Sequence, residues 1–299
     1  MALALPPLAL YAHFPWCVRK CPYCDFNSYT LRDDLPEDRY VESLIRDIDS
    51  QALTVRDRAA GLPRPLISVF LGGGTPSLFS PRAIGRVLDA ARAAFGFAAD
   101  AEITLEANPG TIERGRFAEY RAAGVNRVSL GAQSFDAVAL AALGRIHSPA
   151  ETCRAAEELH AAGLDNFNLD LMYGLPGQDE RGAIADIECA IGLAPAHLSH
   201  YQLTLEPGTV FAASPPALPS DEASADMLGA CEASLAAAGF EQYEVSAYAR
   251  AGRAAQHNCN YWMFGDYVGA GAGAHGKLTD CGNARILRTT HAREPRRYM

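Results

Sequence analysis

Residues Leu8 to Phe26 read LALYAHFPWCVRKCPYCDF, and the change of character along this stretch decides what the rest of the chain builds. Leu8 to Phe14 is a run of apolar and aromatic side chains, too short for a helix and bounded by Pro15, which is the pattern of a buried strand. Cys17, Cys21 and Cys24 follow at C-x3-C-x2-C. A helix would set Cys17 and Cys21 on one face, but Pro22 and the small, polar surroundings favour a loop. A buried strand that runs straight into a loop of thiols is how an α/β fold presents chemistry, at the carboxyl end of its strands.

The strand pattern recurs at Leu66 to Leu71, Ala101 to Ala107, Arg127 to Leu130, Phe167 to Met172 and Leu198 to Leu205. Helical spacing of Ala, Leu and Ile occupies the intervals, at Glu37 to Leu53, Pro81 to Phe95, Ile112 to Ala123, Pro149 to Ala162 and Glu180 to Leu193. Such alternation implies a parallel sheet with right-handed crossovers. A closed barrel takes eight units and typically ~250 residues, so six units predict an α/β fold of the incomplete (β/α)6, TIM-like barrel kind; a doubly wound sheet is the alternative. The Pro-rich stretch Ala212 to Ser220 divides residues 1–211 from a C-terminal extension, 212–299. In the extension a helix is expected at Asp221 to Ala238 and a strand at Gln242 to Ala247, after which the pattern weakens. Lys277 to Gly282 reads as a turn, and the basic end RTTHAREPRRYM lacks core periodicity, so the natural chain is expected to continue beyond Met299.

The 299 residues are 49% hydrophobic and 20% charged, which excludes collagen, coiled coil and disorder. A net charge of -9 offers no sequence-wide basic surface, so nucleic acid is not an expected partner. Of eight cysteines, three sit in the loop and the others are scattered singly, the usage of a reducing, cytoplasmic compartment rather than of a disulfide framework. The opening MALALPPLAL has no Lys or Arg ahead of its apolar run and is broken by Pro6 and Pro7, unlike an export signal. No apolar stretch approaches the ~20 residues that span a bilayer.

Three thiolates on a short loop can hold three irons of a [4Fe-4S] cubane and leave the fourth open. A structural zinc ion would need four ligands, with His13 the conceivable fourth. Gly72, Gly73 and Gly74 follow the second strand and let backbone come close to a ligand; a phosphate loop would need G-x4-G-K-[ST], whereas Thr75-Pro76 comes next. Glu106 ends the third strand, where a carboxylate can accept both hydroxyls of a ribose. Gln133 follows the fourth, and Asp170 lies inside the apolar fifth, where an unpaired charge would be costly. Arg145 offers a planar fork for a carboxylate, either a ligand's or that of Asp170 in a structural ion pair. Gly271-x-Gly273-x-x-Gly276 matches a dinucleotide fingerprint literally, but no helix pattern follows it, so tight backbone packing is expected instead.

C-x3-C-x2-C at the end of a first strand resembles the signature of the radical S-adenosylmethionine (SAM) superfamily. The segments YAHFPWCVRKCPYCDF, VFLGGGTPS, TLEANPG, SLGAQSF, LGRIHS and NLDLMYGLPGQ resemble, in order, the branch containing oxygen-independent coproporphyrinogen dehydrogenase and the haem chaperones. That resemblance runs from Tyr11 to about Gly276. It implies a [4Fe-4S] cluster on Cys17, Cys21 and Cys24, with Tyr11 beside it. It also implies SAM at Gly72, Gly73, Gly74 and Thr75, and Glu106, Gln133, Arg145 and Asp170 lining one or two cofactor molecules. The decarboxylating enzymes resemble C-x3-C-x2-C-x-C behind an N-terminal extension, whereas here Phe26 stands in place of the extra cysteine and sixteen residues precede Cys17. His257-Asn258-Cys259-Asn260-Tyr261-Trp262 resembles the H-N-x-x-Y-W motif of the haem chaperones. His257 would be an axial ligand to haem iron between Tyr261 and Trp262, with Cys259 the alternative ligand. The expectation is a carrier that binds haem and delivers it to acceptor proteins, soluble or membrane-bound; an oxidative decarboxylase and a radical methyltransferase are the alternatives. Arg285 to Arg297 are expected to solvate the chain end rather than meet haem propionates. The haem chaperones of the branch carry a further C-terminal domain.

Overall fold

A computed structural model describes residues 5–59, 61–110 and 116–299. Its strands are β1 Leu8–Phe14, β2 Trp16–Cys17, β3 Tyr29–Thr30, β4 Leu66–Gly73, β5 Phe97–Ala107, β6 Arg127–Gln133, β7 Phe167–Tyr173, β8 His197–Gln202, β9 Glu241–Glu244, β10 Ala247–Ala249, β11 Asp266–Ala270, β12 His275–Asp280 and β13 Arg285–Thr290. Its α-helices are α1 Glu37–Arg58, α2 Pro81–Phe95, α3 Phe117–Ala122, α4 Ala137–Ala142, α5 Pro149–Ala161, α6 Glu180–Gly192, α7 Val210–Ala213, α8 Asp221–Ala237, α9 Gln256–Trp262 and α10 Pro295–Tyr298. The long crossover helices start where the sequence supplies a cap. Ser80 and Asp179 accept from backbone N–H groups of α2 and α6, and Ser148 with Glu151 forms a capping box on α5.

The large sheet has the order β13-β12-β11-β1-β4-β5-β6-β7-β8-β10-β9. The six expected strands, β1 and β4 to β8, are parallel and lie in sequence order with no reversal. A doubly wound sheet reverses direction at a switch point; right-handed crossovers that always step the same way put every helix on one face and curl the sheet around the other. The free edges stay apart, because β1 takes parallel β11 as its second neighbour and β8 takes antiparallel β10. The fold is therefore an open, partial barrel.

Period-two alternation separates the two faces. Leu10, Ala12, Phe14, Val69, Leu71, Ile103, Leu105, Val128, Leu130, Leu169 and Leu171 are buried in one core with helix residues such as Tyr40, Leu44, Val87 and Ile187. The intervening positions are largely polar: Tyr11 and His13, Glu102, Thr104 and Glu106, Arg127 and Ser129, Asn168 and Asp170, and His197 and Ser199. This second row is the inner lining of the barrel.

Several sequence expectations change. Ile112 to Gly115, the first part of the expected third helix, lie outside the described residues, and α3 begins at Phe117. The sixth strand stops at Gln202 rather than Leu205. Gln242 to Ala247 is a hairpin, β9 and β10, turned at Val245, whose side chain is exposed, and Ser246, whose N–H donates to Glu244 Oε1 at 3.1 Å. Beyond Arg250, α9, β11 to β13 and α10 are regular, and Lys277 to Asp280 belong to β12, not to a turn. Polar strand residues misled the pattern because they are buried against one another: Asp266 receives Arg64 Nη2 at 2.9 Å, Lys277 Nζ at 3.0 Å and Thr279 Oγ1 at 2.9 Å. Tyr298 OH donates to Asp47 Oδ2 of α1 at 2.7 Å, fixing the last residues on the core. Among the described residues no helix is long and apolar enough to cross a membrane.

Candidate functional site

Parallel pairing of β2 with β3, Trp16 opposite Tyr29 and Cys17 opposite Thr30, closes the base of the cysteine loop. Lys20 Nζ pins it from within by donating to the carbonyls of Phe26 and Ser28 at 2.9 and 3.1 Å. Cys17, Cys21 and Cys24 are unpaired thiols, partly buried, on the wall of a cavity of about 430 Å³. Arg145 Nη1 donates to Cys21 Sγ at 3.6 Å. Among the described residues no three His, Cys, Asp or Glu side chains converge on one point that a single metal ion would occupy. A cubane takes each thiolate on a different iron, so three separated thiols around an open space suit it, whereas zinc needs its donors within ~2.3 Å of one centre. His13 cannot complete a zinc site. Its Nε2–H donates to Asn27 O at 2.9 Å, leaving Nδ1 to accept from Tyr11 OH at 2.9 Å, so both nitrogens are engaged.

The strand ends form the rest of this cavity. Gly73 has φ +116°, and a Cβ there would lie 2.4 Å from the His13 ring; one at Gly74 would lie 2.6 Å from Trp16 O. The glycines are thus required by their fit against β1 and β2, quite apart from any ligand. Gly72 abuts the Phe70 ring and does not line the cavity. Gly73 N–H donates to Glu106 Oε2 at 2.9 Å, and Asn108 Nδ2 donates to Thr75 Oγ1 at 3.0 Å. Burial, helped by the nearby Asp170 charge, pushes the Glu106 carboxyl up to about 8, so it is largely protonated at neutral pH. Burial also raises Asp170, opposed by hydrogen bonds from Asn168 Nδ2 at 2.8 Å and Ser129 Oγ at 3.0 Å. The structural ion pair between Arg145 and Asp170, the alternative reading of these two residues, is absent among the described residues. Asp170 is satisfied within its own sheet, while Arg145, held beyond α4, donates through Nη2 to Asn108 Oδ1 and to Gly131 O at 2.7 Å. Gln133 sits at φ +67° after a register shift in β6, and its Oε1 accepts from Tyr201 OH at 3.3 Å. A non-glycine residue in the left-handed region at a cavity wall is the kind of local strain that functional sites retain. Cys17, Cys21, Cys24, Gly73, Gly74, Thr75, Glu106, Gln133, Arg145 and Asp170 all share this one wall.

Tyr11 and His257 lie elsewhere. Tyr11 lines a second, wider cavity of about 850 Å³ with Phe26, Tyr261, Tyr267, His275 and Arg293. Gly73, Glu106 and Phe26 border both cavities, so the two adjoin. The Tyr11 ring stacks on Phe70 at 6.1 Å, and the His257 ring lies 4.4 Å from Phe70, so His257 sits next to the second cavity's wall without lining either cavity. His257 Nδ1 is 2.6 Å from Glu102 Oε1, and the Gln256 N–H donates to Glu102 Oε2 at 2.9 Å, so one buried carboxylate holds both the ring and the start of α9. Burial would raise the Glu102 carboxyl, but the His257 hydrogen bond and the Arg127 charge outweigh it and bring it to about 2. Burial keeps His257 below its ordinary value. The pair is therefore carboxylate and neutral imidazole, with the proton on Nδ1 and Nε2 unprotonated. Cys259, the alternative ligand, has its thiol pushed up by burial, which disfavours thiolate. Tyr261 faces the second cavity, edge-on to Tyr267 at 4.9 Å, whereas Trp262 is exposed. Gly271, in the literal dinucleotide fingerprint, has φ +108°, and a Cβ there would lie 2.6 Å from His13 O, as tight packing requires.

Residues 11–189 match the model of the Radical SAM superfamily. The chain is 54% identical over 295 residues to the heme chaperone HemW of Escherichia coli (strain K12), covering 99% of this chain and 76% of that protein. It is 48% identical over 295 residues to the heme chaperone HemW of Haemophilus influenzae, with the same coverage of 99% and 76%. The chain belongs to the radical SAM superfamily, in its HemW-type branch. Among solved structures, coproporphyrinogen III oxidase (HemN) from Escherichia coli, a radical SAM enzyme, is similar at a TM-score of 0.81 and 26% identity, over 97% of this chain and 68% of that one.

In this HemW-type chain the motifs led to the cavity wall but missed the residues behind it, Glu102, Asn168, His197 and Tyr243. The signal for the first three was present: in EITLEA, NLDL and HLS the polar side chains fall at every second position, which puts Glu102 with Glu106, Asn168 with Asp170, and His197 with Ser199 on one inner face. Tyr243 carries no such signal, since its partners come from β8 and α9.

Proposed function

We propose that this HemW-type protein is a haem carrier, binding a [4Fe-4S] cluster through Cys17, Cys21 and Cys24, SAM along the strand-end cavity and haem through His257, and passing the haem to acceptor proteins in a reducing, cytoplasmic compartment. Cluster and cofactor are assigned to residues 1–211 and the haem ligand to residues 212–299. When bound, the cluster supplies an open iron for the amino and carboxylate groups of SAM. The chain's own groups would do the rest. Glu106 and Asp170 offer a protonated and an acceptor carboxyl to hydroxyls, the Arg145 Nη1 face offers donors to a carboxylate, and the Gly73–Gly74 turn leaves room for the ligand's close approach.

The carrying observation is the Glu102–His257 pair at 2.6 Å. A carboxylate on Nδ1 fixes the tautomer, orients the ring and strengthens Nε2 as a ligand, which is how metal-binding histidines are commonly supported. The cavity lined by Tyr11, Phe26, Tyr261 and Tyr267 has aromatic walls suited to a flat macrocycle, and His257 is linked to it through the Phe70 ring, which contacts both Tyr11 and His257. Phe26, exposed where the decarboxylating relatives have cysteine, favours the carrier over the oxidase, as does the identity to HemW proteins against 26% to HemN.

A haem titration of the anaerobically reconstituted protein tests this. One haem per chain is expected, with ~4 irons in the cluster. His257→Ala should shift or abolish the haem absorption band while cluster absorption stays, and Glu102→Gln should weaken haem binding roughly 10- to 100-fold. An unaltered haem spectrum in His257→Ala would refute the ligand assignment.

A further inference from the structure

Four hydrogen bonds join the helix that carries His257 to the cysteine-lined cavity. Asn258 Nδ2 donates to Tyr243 Oη at 3.1 Å, Tyr243 OH to His197 Nε2 at 2.7 Å, His197 Nδ1–H to Asn168 Oδ1 at 2.7 Å, and Asn168 Nδ2 to Asp170 Oδ1 at 2.8 Å. Every direction is fixed. An amide nitrogen can only donate at one end, and a carboxylate accepts at the other. Tyr243 Oη also receives the Ala255 N–H at 3.4 Å, so its own proton goes to His197. That ring therefore carries its proton on Nδ1, and burial keeps it neutral. Asn168 and His197 are 1% and 2% exposed, so water cannot substitute for a broken link. They are direct neighbours in the β7–β8 register, and the Asp170 carboxylate, which accepts from Nδ2 and would repel Oδ1 in its place, sets the orientation of the amide.

We infer that His197 and Tyr243 are positioning residues, and that their chain couples occupancy of the cavity at Asp170 to the setting of α9 and hence to haem affinity at His257. The inference rests on the haem-carrier function proposed above. Bonds that all donate in one direction polarise one another, so a ligand hydroxyl or cation that draws on the Asp170 carboxylate alters the acceptor strength presented to Asn168 and, link by link, the hold on Asn258. Asn258 is next to His257, which Glu102 holds from the other side, and the Arg127 guanidinium lies 3.8 Å from Glu102. α9 is thus suspended between two polar anchors, one of which ends in the cofactor cavity. Coupling of this kind is reciprocal: whatever SAM does to haem affinity, haem does to SAM affinity.

The test uses the reconstituted full chain and SAM as the probe. Amide hydrogen exchange is followed over residues 256–262 with and without SAM, and haem is titrated in both states, for the wild type, Tyr243→Phe and Asn258→Ser, which break the same link from opposite sides. In the wild type SAM should slow exchange in α9 and change the haem dissociation constant at least ~5-fold. Both variants should still bind SAM, as followed by calorimetry, yet lose most of both effects. A SAM response of α9 that is absent in the wild type, or equal in wild type and either folded variant, would overturn the inference, as would failure of SAM to bind. If haem does not bind through His257, the exchange arm still decides the coupling, and only the haem assignment falls.

Discussion

Gly73 and Glu106 show how much one position can carry. The sequence marked Gly73 as a place for ligand approach, yet its φ of +116° and the His13 ring behind it already demand glycine. Gly73→Ala should cost ~2 kcal/mol or more in denaturant unfolding, since left-handed backbone alone costs about 1–2 kcal/mol for a residue with a Cβ. Gly229→Ala on α8, where a Cβ meets nothing within 4 Å, should instead stabilise by ~0.5–1 kcal/mol. Equal effects would mean that the turn is not held as described. Glu106 was legible as a strand-end carboxylate, but its protonation was not, because that depends on burial beside Asp170. Its folded value of about 8 lies above the usual value near 4.5, so across that range the folded chain holds the extra proton. The contribution is full below pH ~4.5 and is lost as pH rises towards ~8, with a slope of at most about 1.4 kcal/mol per pH unit. Glu106→Gln should flatten that part of the stability–pH curve of the cofactor-free protein; an unchanged slope would contradict the assignment.

At the scale of elements, legibility followed the kind of burial. The six parallel strands announced themselves because apolar side chains cover their outer face, whereas β11 to β13 did not, since their buried interior is partly ionic. Asp266 accepts from Arg64, Lys277 and Thr279 with almost no solvent access, and its loss would leave two cations buried and unpaired. Asp266→Ala should destabilise by about 3–5 kcal/mol, read as a lowered denaturation midpoint, while Arg285→Ala, which removes a half-exposed guanidinium and leaves buried Asp280 with Arg58 and Asn283, should change stability by less than ~1 kcal/mol. Similar losses for both would show that the edge is not built around Asp266. α9 is a different case: HNCNYW was legible only as a resemblance, because no periodicity reveals that Glu102, more than 150 residues away, fixes the imidazole.

For the whole molecule, the order of strands without a reversal turns a sheet into an open barrel, and the row of polar side chains inside it becomes one continuous surface. Cysteine loop, glycine turn and strand-end carboxylates meet there because each follows its strand, which is why motif order alone located the wall. The second cavity adjoins the first at Gly73 and Glu106, and that adjacency depends on β11 closing against β1, an arrangement no local pattern encodes. A carrier and a decarboxylase would use this architecture differently, and turnover separates them. Carboxyl-labelled coproporphyrinogen is incubated anaerobically with the reconstituted protein, reductant and SAM, and labelled carbon dioxide is counted per chain. None above background is expected from a preparation that binds haem, whereas release over multiple turnovers would contradict the carrier assignment.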